Sequence, residues 1–374
     1  MADIPKTSKA ALMVGYGKPM VIGEVKIPEQ LEPGSVLVKM NAASICASDV
    51  HLWQGEEVKG FGDPNTFPRI LGHEMCSTVV RLGPGVTHDS IGQPLKEGDR
   101  LVYTHGVCGH CYFCSVEKVA TLCVSRRHYM FGRATDYPHL LGSFAEYGYV
   151  FPTAGRVKVP DGLPDVMVSA ATCPFRTMIS AFDRLGDLDD RHSMVIQGAG
   201  PLGLFATAIA ARKAPHRVIV VGGPKRRLEI ARRWGATDTI DINEVPDPQE
   251  RKALIMQMTD NLGPDVVLEV SGVKAAFSEG IDIIRRGGRY LIVGQLHQET
   301  LPFNPSLIVA KHLRLIGNSS GTTEHYYRAL QFLKHHWNDV PWLDMISSRH
   351  PIEGINEAMA GMKSWEEVKP AIVF

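Results

Sequence analysis

One short stretch limits the folds open to this chain more than any other. The apolar run Met194-Val195-Ile196-Gln197 leads straight into Gly198-Ala199-Gly200-Pro201-Leu202-Gly203. A strand followed by G-x-G-x-x-G and then a helix has a physical reading. The first glycine permits a tight turn, the second lets the backbone approach a pyrophosphate, and the third lets helix and strand pack closely. The helix N-terminus then offers free N–H groups to the anion. Pro201 suits a first helical turn, where its missing N–H costs nothing. The bland alternative is a glycine-rich turn with no ligand, and the surrounding rhythm argues against it. Strands Ser193–Gln197, Val218–Val221, Asp265–Val270 and Arg289–Val293 alternate with helices Pro201–Ala214, Lys225–Trp234 and Lys274–Arg286. That alternation predicts a doubly wound parallel sheet within an α/β chain.

The second strand of this unit bears on the cofactor. An NAD site usually ends that strand with Asp or Glu, which binds the ribose hydroxyls. Gly222 stands there, followed by Gly223-Pro224-Lys225-Arg226-Arg227. No carboxylate repels a 2′-phosphate, and Lys225 and Arg226 could attract one, so the reading leans to NADP over NAD. Basic residues at the start of a helix are also commonly just solvated.

Before residue 175 the pattern differs. Short apolar runs (Lys9–Val14, Ser35–Met40, Ser77–Leu82, Asp99–Tyr103, Tyr147–Phe151) are broken by Pro33-Gly34, Gly83-Pro84-Gly85 and Glu97-Gly98. These turns predict an antiparallel, barrel-like β domain. After the alternating region come helical stretches Thr323–His336 and Ile352–Trp365 and a closing strand Lys369–Phe374. The expected division is 1–174, 175–318 and a return segment 319–374. A chain of 374 residues is long for one core. Lys plus Arg and Asp plus Glu balance at 40 each, so no global field favours nucleic acid or an anionic membrane. The first ten residues lack a signal-peptide core and no apolar run approaches 18 residues, so a cytoplasmic protein without a membrane span is expected.

The seven cysteines sort by spacing. Cys108, Cys111, Cys114 and Cys123 read C-x2-C-x2-C-x8-C, the pattern of a closed four-thiolate zinc site, which is usually structural. His110 lies inside this lobe and is the weaker ligand candidate. Cys46 and Cys173 stand far apart, with Gly72-His73-Glu74 between them, and suggest a Cys2His site with an open fourth position, the usual catalytic form. Cys173 falls at the seam between the expected domains, which would place such a metal in an interdomain cleft. Cys76 fits ordinary packing. Close C-x2-C spacing without a secretion signal favours metal over disulfides.

Taken together, Cys46-Ala-Ser-Asp49, Gly72-His-Glu74, the four-cysteine lobe, Gly142-Ser-Phe-Ala-Glu-Tyr147, Cys173 and Gly198–Gly203 run in the order of a known family. Across essentially its whole length the chain resembles the zinc-dependent medium-chain dehydrogenase/reductases of the alcohol dehydrogenase type. The resemblance implies a GroES-like β-barrel domain joined to a Rossmann domain. It implies two zinc ions per chain, with Cys46, His73 and Cys173 holding the catalytic one and Cys108, Cys111, Cys114 and Cys123 the structural one. The last lobe gap is one residue longer than usual for the family. Glu74 would sit behind the metal, and Asp49 would orient His73. Ser48 would accept the substrate hydroxyl proton, and His51 would pass it to solvent. Thr177 would pack against the nicotinamide, with Lys369 also at the cofactor. Cys173, where polyol-specialised members carry glutamate, leans to simple alcohols.

The implied reaction is hydride transfer between an alcohol, oxidised to an aldehyde or ketone, and NAD(P). The alternatives are a zinc-free NADPH enone or quinone reductase on the same fold, and a zinc-ribbon binding module. The three separated ligands argue against the first, and balanced charge argues against the second. Trp53–Phe67, His128–Leu141, Leu296 and Asn318 are expected near the substrate. Their apolar and aromatic character is compatible with a bulky secondary, terpenoid or aromatic alcohol. A homodimer or homotetramer is expected by resemblance.

Overall fold

The computed structural model describes residues 4–56, 66–294, 300, 301 and 303–374. Leu296 and residues 57–65 lie outside the described residues. In chain order the strands are β1 (Thr7–Met13), β2 (Val21–Lys26), β3 (Val36–Ser44), β4 (Arg69–Ile70), β5 (Met75–Leu82), β6 (Arg100–Gly106), β7 (Tyr147–Val150), β8 (Ala154–Lys158), β9 (Ser193–Gln197), β10 (Arg217–Gly222), β11 (Asp238–Asp241), β12 (Val266–Glu269), β13 (Arg289–Ile292), β14 (Arg314–Gly317), β15 (Ile346–His350) and β16 (Lys369–Val373). The helices are α1 (Ala47–Gln54), α2 (Tyr112–Ser115), α3 (Asp165–Ala171), α4 (Pro174–Leu185), α5 (Pro201–Lys213), α6 (Lys225–Arg233), α7 (Pro248–Met258), α8 (Lys274–Ile283), α9 (Ser306–Lys311), α10 (Thr323–His335) and α11 (Ile355–Lys363). The chain forms two compact units: 1–176 with 321–336 and 346–374, and 177–320 with 337–345.

The first unit is a β structure. β3 is its centre: eight of its nine residues are buried or half-buried, and it pairs antiparallel with β5, β7 and β16. The larger sheet runs β15-β16-β3-β5-β6-β8, and a smaller one runs β2-β1-β4. In β1 Ser8, Ala10, Ala11 and Met13 are buried, so the strand is covered on both faces around Ala10 and Ala11. Ala10, Ala11 and Met13 join Val36, Val38, Met40, Leu71, Phe144 and Tyr149 in one apolar core. Apolar burial of this kind supplies most of the drive to fold, about 1.5–3 kcal/mol for each large side chain. Gly142 is required by close approach, because a Cβ there would lie 2.3 Å from the Ile70 carbonyl oxygen.

The second unit is the expected parallel sheet, in the order β11-β10-β9-β12-β13-β14 with every neighbouring pair parallel. β9 is buried along its whole length, as a strand covered on both faces must be. Strand order reverses between β9 and β12, and ligands bind beyond the carboxyl ends of strands at such a point. Among the described residues no helix is long and apolar enough to cross a membrane.

Three local expectations need correction. The helix expected over 274–286 stops at Ile283, because Ile284 turns to extended backbone. The stretch Ile352–Trp365 is a single 3-10 turn over Ile352–Gly354 and then α11, which ends at Lys363 with Trp365 in the left-handed region at φ 67°. The return segment is also not uniform. Residues 337–345 belong to the second unit, where Trp342 packs 4.9 Å from Trp234 and 6.1 Å from Phe205.

Candidate active site

Two clusters of metal-binding side chains form within the first unit. In one, single ligand atoms of Cys46, His73, Glu74 and Cys173 all lie within 4.8 Å of one another; in the other, so do those of Cys108, Cys111, Cys114 and Cys123.

The first cluster draws on three separate segments. Cys46 is the N-cap of α1, just past the end of β3. His73 and Glu74 immediately precede β5, and Cys173 sits between α3 and α4. One carboxylate ties two of these segments together. Asp49 Oδ2 accepts the Cys46 N–H at 2.8 Å, and Asp49 Oδ1 accepts the Gly72 N–H at 3.2 Å and lies 3.2 Å from His73 Nδ1. Asp49 is fully buried, so these bonds are needed to satisfy it. They favour a proton on Nδ1, so a metal binding at Nε2 would displace only the proton on that nitrogen. Gly72 has φ +91°, and a Cβ there would meet Ser143 Oγ at 2.3 Å, so only glycine lets His73 enter at this angle.

Glu74 and Lys369 form a buried ion pair behind the cluster. Both are at most 1% exposed, and Lys369 Nζ lies 2.7 and 2.5 Å from the two carboxylate oxygens. Burial pushes the Glu74 carboxyl well above its usual range, against the pull of the Lys369 ammonium. For Lys369 burial acts downward, but Glu74 and Cys46 outweigh it and raise the ammonium. The two sulfurs share a hydrogen bond: with burial it pushes Cys46 up to about 11, and against burial it holds Cys173 below the usual thiol range. Burial opposes protonation of His73, yet Asp49 and Cys46 beside it carry it up to about 10. Two sulfurs and one imidazole nitrogen within reach of one another are the donor set of a catalytic zinc.

Among the residues assigned to proton transfer, Ser48 Oγ lies 3.5 Å from His73 Nε2. His51 is exposed, with Nδ1 2.7 Å from Glu56 Oε2. Lys369, assigned above to the cofactor, has its ammonium engaged by Glu74. From the segment 128–141, Met130 reaches the cluster, with Sδ 3.2 Å from His73 Nδ1. Trp53 and Phe67 pack against the barrel core. Asn318 holds the chain rather than facing open space: it donates to the Thr177 and Ser320 carbonyls and accepts from Ser180 Oγ. Cys76 is buried, and its thiol donates to Asp165 Oδ1 at 3.1 Å.

The four-cysteine lobe is local and shallow. Its sulfurs accept backbone N–H bonds, Cys111 N to Cys108 Sγ and Cys108 N to Cys123 Sγ, both 3.3 Å. His110 points away, with Nδ1 2.8 Å from the Cys108 carbonyl oxygen. Four sulfurs with no competing side chain fit a closed tetrahedral ion.

The glycine-rich turn of the second unit has the geometry of a dinucleotide cradle. Gly198 has φ +123°, and a Cβ on Gly203 would lie 1.8 Å from the Gly198 carbonyl oxygen. A Cβ on Gly200, the N-cap of α5, would meet nothing within 4 Å, so that face of the turn is open to a ligand. Pro201 and Leu202 open α5 as expected. Gly222 ends β10 against this turn, where a Cβ would lie 2.8 Å from Ala199 N. Lys225 and Arg226 are exposed at the start of α6, while Arg227 is buried.

Sequence reasoning missed the Glu74–Lys369 pairing and a buried arginine, Arg176, beside Cys173. The signal for each was a lone cation in an apolar setting: Lys369 at the head of an apolar strand, and Arg176 between Phe175 and Met178.

Comparison with known proteins gives a consistent result. Residues 32–161 match the family described as alcohol dehydrogenase GroES-like domain, and residues 201–335 match the family described as zinc-binding dehydrogenase. The chain is 30% identical over 371 residues to 5-exo-hydroxycamphor dehydrogenase of Pseudomonas putida, covering 98% of each. It is similar to the crystal structure of an alcohol dehydrogenase from Thermotoga maritima, with TM-score 0.90, 32% identity, and 98% of this chain and 99% of that one covered. A zinc-binding dehydrogenase from Sinorhizobium meliloti, solved bound to NADP, superposes with TM-score 0.82 at 25% identity, over 99% of this chain and 100% of that one.

Proposed function

The chain belongs to the zinc-dependent medium-chain dehydrogenase/reductase family of the alcohol dehydrogenase type, and from that premise we propose that Cys46, His73 and Cys173 hold the zinc at which a bulky secondary alcohol and its ketone are interconverted. It is an oxidoreductase acting on a CH–OH group. The observation that carries the site assignment is the meeting of Cys46, His73 and Cys173 within 4.8 Å from distant parts of the sequence. The second cluster, Cys108, Cys111, Cys114 and Cys123, holds a structural zinc in this reading, for two ions per chain.

When bound, the zinc supplies Lewis acidity at the substrate oxygen and the nicotinamide supplies or takes the hydride. The protein's own residues do the rest. Asp49 holds His73 and Cys46 in register. Ser48, beside His73, takes the hydroxyl proton, and His51, exposed and paired with Glu56, passes it to water. Lys369 keeps Glu74 compensated behind the site. Gly198, Gly200 and Gly203 admit the pyrophosphate to the open face of the turn, and Thr177 flanks the nicotinamide.

The cofactor is NADP in this proposal. Gly222 puts no carboxylate of its own at the end of β10, and Lys225 and Arg226 are exposed and could meet a 2′-phosphate. The bulky substrate class is supported by the hydroxycamphor relative, whose named substrate is a secondary terpenoid alcohol. A homodimer or homotetramer in the cytoplasm completes the proposal.

The test is a panel of secondary, primary and polyol alcohols and their carbonyl partners, run with NAD and NADP in parallel on protein assayed for zinc. The expected result is about two zinc ions per chain and fastest turnover with NADP and bulky secondary alcohols. Less than one zinc per chain after gentle purification, or no turnover with any pair, overturns the reading.

A further inference from the structure

Arg176 stands three residues past Cys173, in the first turn of α4. Its side chain is buried, with 3% of its surface exposed. The guanidinium is fixed from several sides. Nε donates to the Thr172 carbonyl at 2.5 Å and Nη1 to the Gly321 carbonyl at 2.9 Å. The charged carbon lies 4.9 Å from the centre of the Tyr326 ring, itself buried. A further hydrogen bond runs to the Cys173 side chain. A guanidinium has five N–H donors in a rigid fork, so anchoring two of them fixes where the others point. Burying such a cation is costly unless opposite charge compensates it. The anionic groups that act on Arg176 include Cys173 and Glu74, both members of the metal-binding cluster.

We infer that Arg176 is a positioning residue for Cys173: it donates a hydrogen bond to Cys173 Sγ, draws electron density from that sulfur, and leaves more positive charge on the metal. The inference rests on the reading that Cys46, His73 and Cys173 hold zinc. Two thiolates on one divalent ion neutralise its charge and weaken it as a Lewis acid. A cation hydrogen-bonded to one sulfur reverses part of that loss, as outer partners of a metal site generally tune their ligands. Arginine stays charged at every working pH, so this tuning is permanent rather than switchable.

The experiment uses the full-length enzyme with cobalt exchanged into the Cys46–His73–Cys173 site and zinc kept in the four-cysteine lobe. The thiolate-to-cobalt charge-transfer band is recorded for wild type, R176Q and R176K, with thermal unfolding alongside to confirm folding. An electron-richer sulfur transfers charge more easily, so R176Q moves the band to longer wavelength. R176K keeps a charge in a less directed donor and moves it part of the way. A band at the wild-type wavelength in either folded, cobalt-loaded variant overturns the inference. A wild-type spectrum with no band that C46S removes overturns the zinc reading beneath it as well, which separates the two failures.

Discussion

The two cysteine clusters of this protein are built on opposite plans. The lobe takes four ligands from one short run, 108–123, and its sulfurs are met by backbone N–H groups. Tyr112, Val116 and Leu122 around it are more than half exposed, so the lobe has little apolar core of its own. The other cluster takes ligands from three distant segments: Cys46 and His73 stand beside elements packed in the barrel core, and Cys173 follows α3, which packs through Val166 against Ala42 and Ala371. Asp49, Glu74, Lys369 and Arg176, all buried, surround it. In the first case, on the proposed reading, an ion would stand in for a core. In the second the core positions the ligands, and an ion held there would be left with chemistry to do.

Substitutions can break this contrast. The largest effect is expected for C46S. Loss of a Lewis acid removes several kcal/mol of transition-state stabilisation, so turnover falls about 10³-fold or more while cofactor affinity is unchanged. Surviving turnover in steady-state assays would remove Cys46 from the site. K369M comes next. Stranding buried Glu74 without its partner costs about 3–5 kcal/mol in denaturant unfolding. The double variant E74Q/K369M should recover most of that loss, and additive losses would show that the pair is not coupled. D49N is milder, weakening zinc binding at the core site by roughly 10–100-fold in chelator competition while sparing the lobe ion. Equal weakening at both sites would erase the distinction drawn here. The smallest effect on chemistry belongs to C111S. It should lose one zinc and expose the lobe to proteolysis, while turnover per folded chain stays within about threefold, because structural ions act through folding. A collapse of turnover at full folding would make the lobe part of the catalytic machinery.

How much of this was visible in the sequence follows the same contrast. The lobe was legible because its ligands are neighbours in the chain, and C-x2-C spacing carries its own geometry. The glycine-rich turn was legible because each glycine answers a local steric demand. Cys46, His73 and Cys173 were legible as residue types that suit one Cys2His site, and resemblance to a family strengthened that grouping. The Lys369–Glu74 pair joins residues 295 positions apart, and no local periodicity carries such a signal. β2 passed unnoticed because its residues are largely exposed or half-buried, so the alternation that marks a strand is faint. β14 was hidden in the same way, with three of its four residues exposed at the edge of the sheet.

Gly222 has a consequence for the history of such a chain. A single change to aspartate there would be the shortest mutational path to gripping an unphosphorylated ribose. That path carries a steric cost, since the new Cβ would lie 2.8 Å from Ala199 N and the turn that follows β9 would have to shift. If the coenzyme is NADP as proposed, the bare Cα of Gly222 is what ties that choice to the shape of the turn.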